Sequence, residues 1–331
     1  MSKARHSRGV GLLLFDLDDT IVQSGTYVSP RVIAALNAAH DAGFVLAIAS
    51  GRPRCMLDAT ILRTGVMDYC VCANGATVHR LDDGSLVAAR PMSREEALDC
   101  HATGSRFEAS WNAFVEEDAY FELKGMSYLF TGRTGALARG RRNERGARKR
   151  PLVVRVLSFA QRGLRYVWRM VSNRSQHQVR SVRRILEGAS DGVHKMGCVF
   201  PNAVSCEDCE RALRSDGRFE VARMGAVELE ITARGTTKGT GAKLLLDHLG
   251  IDAKDSVAFG DGGNDLPLAD AVGRFVAMGN AEESVKQAAD EVCASVSEDG
   301  VAQWIECMLE QRHMVGDDAS RRADNETKVG A

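Results

Sequence analysis

The chain has 331 residues, so domains of roughly 100–200 residues predict either two domains or one domain with a large insertion. It carries 43 basic and 44 acidic residues, a net charge of −1 that gives no reason to expect nucleic-acid or membrane-surface binding. No apolar run approaches the roughly 20 residues that cross a bilayer. The first residues lack the apolar segment of a secretory signal, and we expect a cytoplasmic protein.

The nine cysteines are an odd number in a long chain, which favours reduced thiols over a disulfide framework. Cys206 and Cys209 have the spacing of a zinc-ligand pair. A structural zinc site needs four ligands, however, and no second pair of suitable spacing accompanies them. We interpret them as thiols at the start of a helix.

The first elements predict a β-α-β unit. The apolar run 12–15 is typical of a strand buried on both faces of a parallel sheet. Ser29 as N-cap, Pro30 in the first turn and Gly43 as the stop predict a helix, and residues 44–49 predict a second strand. A helix at about 53–62 and a strand at about 69–72 continue the alternation, which indicates a parallel sheet.

The same alternation returns near the other end of the chain. Helices are predicted at 237–249, 266–272, 281–289 and 301–309, and strands at 256–259 and 274–278. The two ends therefore predict one α/β domain, a Rossmann-like doubly wound parallel-sheet core formed by residues 9–84 and 235–310.

Residues 85–234 predict an inserted α+β cap domain, with strands near 119–123 and 227–231 and helices near 93–101 and 205–213. Within it, residues 131–150 carry eight basic side chains against the single acid Glu144. Because no aromatic residues are interleaved, we interpret this stretch as a solvated, mobile loop rather than a nucleic-acid site. The polar tail 311–331 is expected to be disordered.

Polar residues follow the predicted core strands. Asp16 and Asp18 come directly after the first strand and, because strand side chains alternate, can point into the same volume. Ligands of parallel sheets collect at this edge. The alternative is that Asp18, Asp19 and Thr20 are ordinary turn and helix-cap residues.

The second strand ends in Ser50, Gly51 and Arg52, which offer a hydroxyl, an unobstructed backbone amide and a cation. That combination suits an anion such as phosphate, although alone it could be a simple turn. Lys238 opens a predicted helix, where the helix dipole disfavours positive charge. It therefore calls for an anionic partner, unless it is an ordinary surface lysine.

A glycine-rich turn follows the strand at 256–259 and brings Asp261 and Asp265 to the same sheet edge. Together with Asp16 and Asp18 they would repel one another unless a cation neutralised them. Oxygen ligands without His or Cys indicate a hard ion, and Mg²⁺ is the one that usually shares carboxylates with phosphate.

These segments stand in the order FDLDDT (15–20), ASGR (49–52), TTKG (236–239) and FGDGGND (259–265). The order resembles the haloacid dehalogenase superfamily of aspartyl-phosphate phosphatases, and more narrowly its Cof-like branch, whose large cap is inserted between the second and third motifs. Segments around Asn74, Glu230 and Asn280 add to the likeness, which covers both ends of the chain. One departure is Asp19, where many relatives have glycine.

The resemblance implies residue roles. Asp16 would be the nucleophile, Asp18 would move the proton, and Lys238 would neutralise charge. Mg²⁺ would be held by Asp16, the backbone carbonyl of Asp18, and Asp261, while Asp265 would orient other ligands or Lys238. The residues implied to bind the phosphorylated substrate are Ser50, Gly51, Arg52, Lys238 and Asn264. Of these, Ser50, the Gly51 amide and Asn264 would hold the transferring oxygens, and we expect Arg52 to reach toward the cap.

The function implied is a Mg²⁺-dependent phosphatase acting on a small phosphorylated metabolite such as a sugar phosphate. A phosphotransferase or phosphomutase would share the same aspartyl-phosphate, and a non-catalytic binding module on the same scaffold is the more distant alternative. No nucleic-acid partner is expected.

Overall fold

A computed structural model describes residues 11–23, 27–57, 59–125, 175–190 and 192–312. The basic stretch 131–150 lies outside these residues, as does the tail from 313 onward. None of the helices in the described residues has both the length and the apolar character that crossing a bilayer requires.

An eight-stranded sheet in the order β14-β13-β12-β1-β2-β3-β4-β5 forms the core. From β14 to β3 neighbouring strands run parallel, while β4 and β5 are antiparallel. The strands are β1 Leu12–Phe15, β2 Val45–Ala49, β3 Tyr69–Cys72, β4 Thr77–Arg80, β5 Leu86–Ala89, β12 Ser256–Gly260, β13 Arg274–Ala277 and β14 Glu291–Val292. The predicted α/β class and parallel core are confirmed, with an antiparallel edge added.

The strand order reverses between β1 and β12, which are hydrogen-bonded neighbours. The chain runs outward from β1 to β2 and β3, and on the other side from β12 to β13 and β14. Such a reversal opens a crevice at the carboxyl ends of the two strands. Asp16 follows β1 and Asp261 follows β12, so the predicted acids meet at this crevice.

The core helices follow the expected capping rules. Ser29 Oγ accepts a hydrogen bond from the Val32 amide, 3.2 Å, at the start of the first helix. The helix before β12 ends at Gly250 in the left-handed conformation. The core helices are α1 Pro30–Asp41, α2 Ala59–Arg63, α6 Lys238–Leu249, α7 Glu283–Ala288 and α8 at 300–312.

Two predicted helices were wrong in type or extent. In place of one helix at 53–62, a 3-10 turn at Arg54–Met56 precedes α2. Residues 266–272 do not form an α-helix; Gly263–Leu268 is a 3-10 helix containing Pro267, which cannot donate a backbone hydrogen bond. The last helix continues through Gln311 and Arg312, the first residues of the predicted tail, and Arg312 lies over the Phe44 ring.

A second sheet of six strands, in the order β10-β11-β9-β6-β7-β8, is formed by the middle of the chain. Its pairs are antiparallel except for β7 with β8. The strands are β6 Ser110–Val115, β7 Asp118–Glu122, β8 Gln176–Val179, β9 Val193–Val199, β10 Phe219–Arg223 and β11 Glu228–Ala233; the helices are α3 Arg94–Gly104, α4 Val182–Gly188 and α5 Ala203–Asp216.

The division of the chain at residues 84 and 234 stays a prediction, although the sheets bear on it. β5 lies in the core sheet past residue 84, and β11 of the second sheet ends at Ala233, just before α6.

Cys206 and Cys209 lie on α5, buried in the hydrophobic core of the second sheet. All nine cysteines of the chain are free thiols.

Candidate active site

A buried ion-pair cluster lies at the carboxyl ends of β1 and β12. Lys238 Nζ donates to Asp16 Oδ1 and to Asp265 Oδ1, both at 2.6 Å. The lysine side chain is fully buried, and both carboxylates are nearly so. Lys238 therefore has the anionic partners that its position at a helix start calls for.

The start of α6 places this lysine. Thr237 caps the helix, accepting at its Oγ1 from the Thr240 amide at 3.2 Å. A Cβ on Gly239 would lie 2.0 Å from the Pro267 carbonyl oxygen, so only glycine lets α6 approach the loop that carries Asp265. The close approach brings residues far apart in sequence into one cluster.

Asp265 orients its neighbours. Its Oδ2 accepts from the backbone amides of Asp261 and Gly262, each at 3.0 Å, while its Oδ1 is bound by Lys238. Both oxygens are thus engaged by the protein itself. This fits the orienting role that the resemblance implies better than direct contact with an ion.

Burial and crowding shift the titration of the cluster. Burial raises the pKa of Asp16 to about 7, opposed by the Lys238 charge and reinforced by Asp265. The pKa of Asp261 rises to about 8, again chiefly through burial and then through the Asp16 charge. Burial lowers the pKa of Lys238, but Asp16 and Asp265 outweigh it and hold that pKa above its ordinary value. One lysine therefore does not balance three carboxylates.

The donor set fits a hard divalent cation. Among the described residues, Asp16, Asp261 and Asp265 have carboxylate oxygens within 4.8 Å of one another. Because both Asp265 oxygens accept hydrogen bonds from the protein, Asp16 and Asp261 are the candidate ligands of the three. The ligands are all oxygen, as Mg²⁺ prefers. Burial and, after it, the neighbouring carboxylates raise the pKa values of Asp16 and Asp261, and a bound cation would favour their charged forms.

Asp18 is held by Arg52. The guanidinium donates from Nε to Oδ2 at 2.9 Å and from Nη2 to Oδ1 at 2.5 Å. About half of the Asp18 side chain is exposed, whereas Arg52 is 22% exposed. Asp18 therefore forms an ion pair with Arg52. From the sequence we expected only other carboxylates near it.

Asp19 adopts the left-handed conformation, with φ of 61°. Its amide donates to the Val22 carbonyl at 3.0 Å, and its carbonyl accepts from Asn280 Nδ2 at 2.8 Å. Glycine adopts this conformation without strain, and aspartate is among the few other residues that tolerate it. The backbone therefore accepts aspartate at a position where the resemblance led us to expect glycine.

The predicted phosphate residues lie in the loops after β2 and β12. Ser50 is buried, and its Oγ accepts from the Arg52 amide at 3.1 Å. Asn264 Nδ2 donates to Asn74 Oδ1 at 3.3 Å. The backbone amide of Asn74 in turn donates to the Ser50 carbonyl at 3.1 Å. The ends of β2, β3 and β12 are therefore linked beside Asp16.

Sequence reasoning missed one residue at this site. Lys195, on β9 of the second sheet, is 2% exposed and donates to the Gly51 carbonyl and, at 2.5 Å, to Glu230 Oε1. Glu230 and Asn74 entered only as parts of the resemblance, without roles. The contact joins strands distant in sequence, so spacing gives no signal of it.

Comparison with known proteins identifies the family. A model described as haloacid dehalogenase-like hydrolase matches residues 13–305, nearly the whole chain. The chain belongs to the haloacid dehalogenase-like hydrolases. The predicted superfamily and the prediction of a hydrolytic enzyme are confirmed.

Full-length relatives agree with this assignment. The phosphatase YwpJ of Bacillus subtilis is 25% identical over 305 residues, spanning 90% of this chain and 99% of that protein. The pyridoxal phosphate phosphatase YbhA of Escherichia coli is 24% identical, over 89% of this chain and 97% of that protein.

Solved structures share the fold. A haloacid dehalogenase-like hydrolase from B. subtilis superimposes with a TM-score of 0.75 at 22% identity, covering 90% of this chain and 99% of that chain. The subclass IIB sugar phosphatase BT4131 gives a TM-score of 0.68 at 23% identity, with coverage of 90% and 99%.

Proposed function

We propose that this hydrolase is a Mg²⁺-dependent phosphatase that hydrolyses a small phosphomonoester through an aspartyl-phosphate on Asp16. The observation that carries the proposal is the buried Asp16–Lys238–Asp265 cluster beside Asp261, at the point where the strand order reverses. A carboxylate held by a lysine at such an edge is placed to attack a bound phosphate.

In the first half-reaction, an Asp16 carboxylate oxygen attacks phosphorus, and the bond from phosphorus to the ester oxygen breaks. Asp18 gives its proton to the leaving oxygen, so the product is a neutral alcohol. For this, Asp18 must part from Arg52, because a carboxylate bound by a guanidinium through both oxygens has no proton to give.

In the second half-reaction, water attacks phosphorus and Asp18 accepts its proton. The phosphorus–oxygen bond to Asp16 then breaks, which releases inorganic phosphate and regenerates the carboxylate. Lys238 keeps Asp16 oriented through both steps, while Ser50, the Gly51 amide and Asn264 hold the transferring oxygens.

Asp16, the Asp18 carbonyl and Asp261 would hold Mg²⁺, which would neutralise the negative charge of phosphate and nucleophile. Asp265 would keep these groups in place through its bonds to Lys238 and the Asp261 amide.

The substrate class we propose is a small phosphorylated metabolite, and sugar phosphates are the first candidates within it. Two similar proteins support this class. One is the solved structure of a sugar phosphatase, and the other is a sequence relative named pyridoxal phosphate phosphatase. We also propose a cytoplasmic location, which the nine free thiols support.

A panel of phosphate esters, assayed on the metal-free full chain with and without added Mg²⁺, tests this function. We expect phosphate release that requires Mg²⁺ and that is much weaker with Ca²⁺, which favours more ligands and longer bonds. No release from any ester would contradict the proposal. Isomerised sugar phosphate without free phosphate would favour a phosphomutase instead.

A further inference from the structure

A buried lysine of the second sheet contacts Gly51, in the loop after β2 that the proposed function assigns to phosphate binding. Lys195 on β9 donates to the backbone carbonyl of Gly51, and its Nζ lies 2.5 Å from Glu230 Oε1 on β11. The ammonium also lies 4.8 Å from the centre of the Phe114 ring. The mechanism above makes no use of this side chain.

Glu230 makes the second contact to the core. Its Oε2 accepts from Asn74 Nδ2 at 2.7 Å, and Asn74 Oδ1 accepts from Asn264 Nδ2. The pair Lys195–Glu230 thus reaches both the Gly51 loop and, through Asn74, the loop after β12. These are the two loops whose groups would bind the transferring phosphate.

The absence of a side chain at Gly51 leaves room for the ends of the Glu230 and Asn74 side chains. A Cβ at this position would lie 2.9 Å from Glu230 Oε2 and 3.0 Å from Asn74 Oδ1. A glutamate at this distance from a phosphate-binding loop would repel phosphate if it were unpaired. The Lys195 charge, held on the same carboxylate, cancels this repulsion.

Packing alone does not explain an ion pair here. Burying a lysine and a glutamate is expensive, and well-packed apolar residues in their place are often neutral or stabilising. A role that needs charge and hydrogen bonds at this point accounts for the pair better.

We propose that Lys195 is a positioning residue through which the second sheet raises the affinity of the site for phosphate. It holds the Gly51 carbonyl, and with it the loop that binds phosphate, and it neutralises Glu230 beside that loop. The inference rests on the proposed function, since it assigns Gly51 to phosphate binding.

The test compares Lys195→Met, Glu230→Gln and the double variant with the wild-type chain, with inorganic phosphate as the probe. Arg211→Met is the matched control, because Arg211 is exposed and pairs with Asp208 on the same helix. Phosphate affinity is measured calorimetrically and, in parallel, as competitive inhibition of phosphate-ester hydrolysis. Lys195→Arg tests whether a cation at this position is enough.

Lys195→Met should weaken phosphate binding at least about tenfold and raise KM more than it lowers kcat, since an uncompensated Glu230 charge opposes the anion. The double variant, which has no charge at position 230, should regain only part of the affinity, because the Gly51 carbonyl still lacks its donor. Lys195→Arg should also regain part of it. Arg211→Met should bind phosphate as the wild type does.

Unchanged phosphate affinity in Lys195→Met, in a folded variant, would overturn the inference while leaving the phosphatase intact. A double variant no better than Lys195→Met would also overturn it, because the charge on Glu230 would then not matter. If the wild type binds phosphate but hydrolyses no ester, the proposed function fails, and the calorimetric comparison still decides the role of Lys195.

Discussion

Asp16 and Lys238, which are 222 positions apart in the sequence, form a buried ion pair with 2.6 Å between Oδ1 and Nζ. The pair joins the end of the first core strand to the helix that follows the second sheet. Its lysine also binds Asp265, so one cation holds two carboxylates of the site. Removing either charge should therefore affect both catalysis and stability.

Lys238→Met should lower kcat/KM by at least about 100-fold, since the transition state loses a buried cation. It should also lower the free energy of unfolding by roughly 3–5 kcal/mol, because buried carboxylates lose their partner. Steady-state kinetics and urea unfolding would measure the two effects. Lys254→Met, a change at an exposed lysine, is the control and should alter neither. A stable, active Lys238→Met would contradict the role assigned here.

Asp18→Asn should lower the rate by at least about 100-fold, the usual reach of general acid–base catalysis. The loss should be greatest for alkyl phosphates and smaller for p-nitrophenyl phosphate, whose leaving group needs less protonation. Asp19→Asn is the neighbouring control, because asparagine also tolerates the left-handed backbone. Equal losses for both leaving groups would move the acid role away from Asp18.

Arg52→Gln should show whether Arg52 binds the substrate or only Asp18. If substrate draws the guanidinium away from Asp18, the variant loses a cation for the substrate, and KM should rise about tenfold with a smaller change in kcat. Arg274→Gln is the control, because Arg274 is also paired with a carboxylate, Glu291, but lies on the surface, 52% exposed against 22% for Arg52. An unchanged KM would confine Arg52 to holding Asp18.

Stability of the metal-free chain should depend on pH through Asp16 and Asp261. Their pKa values in the folded state, about 7 and about 8, lie above the value of about 3.9 in an unfolded chain. As pH rises above about 4, the unfolded state loses protons that the folded state keeps, so the free energy of unfolding falls until about pH 8.

Mg²⁺ competes with these protons, so its effect on the melting temperature should be larger at pH 8 than at pH 5.5. Differential scanning calorimetry at both pH values measures this. Asp261→Asn should reduce the stabilisation by Mg²⁺ at pH 8. An equal Mg²⁺ shift at the two pH values would argue against an ion held by these carboxylates.

Local signals predicted most of the core. Ser29, Pro30 and Gly43 correctly bounded the first helix, and the four polar segments lie at one sheet edge, as the parallel alternation required. One failure has a local cause that the prediction overlooked, and the other depended on tertiary context. Pro267 favours a 3-10 segment over the predicted helix, and strands β4 and β5 turn antiparallel within the core sheet.

The site was harder to predict where the second sheet contributes. Lys195 stands in an ordinary strand pattern, and only the pairing of β9 with β11 and its approach to Gly51 give it neighbours. In the same way, the Arg52–Asp18 pair depends on how two loops face each other. No spacing in the sequence encodes such contacts.

The most direct test of the account is phosphate release by Asp16→Asn in the presence of Mg²⁺. The substitution keeps the shape of the side chain while removing the nucleophilic charge, so the folded variant should show no turnover above background for any ester that the wild type hydrolyses. Asp252→Asn, at an exposed carboxylate, should keep wild-type activity. Substantial Mg²⁺-dependent release by Asp16→Asn would contradict the aspartyl-phosphate mechanism.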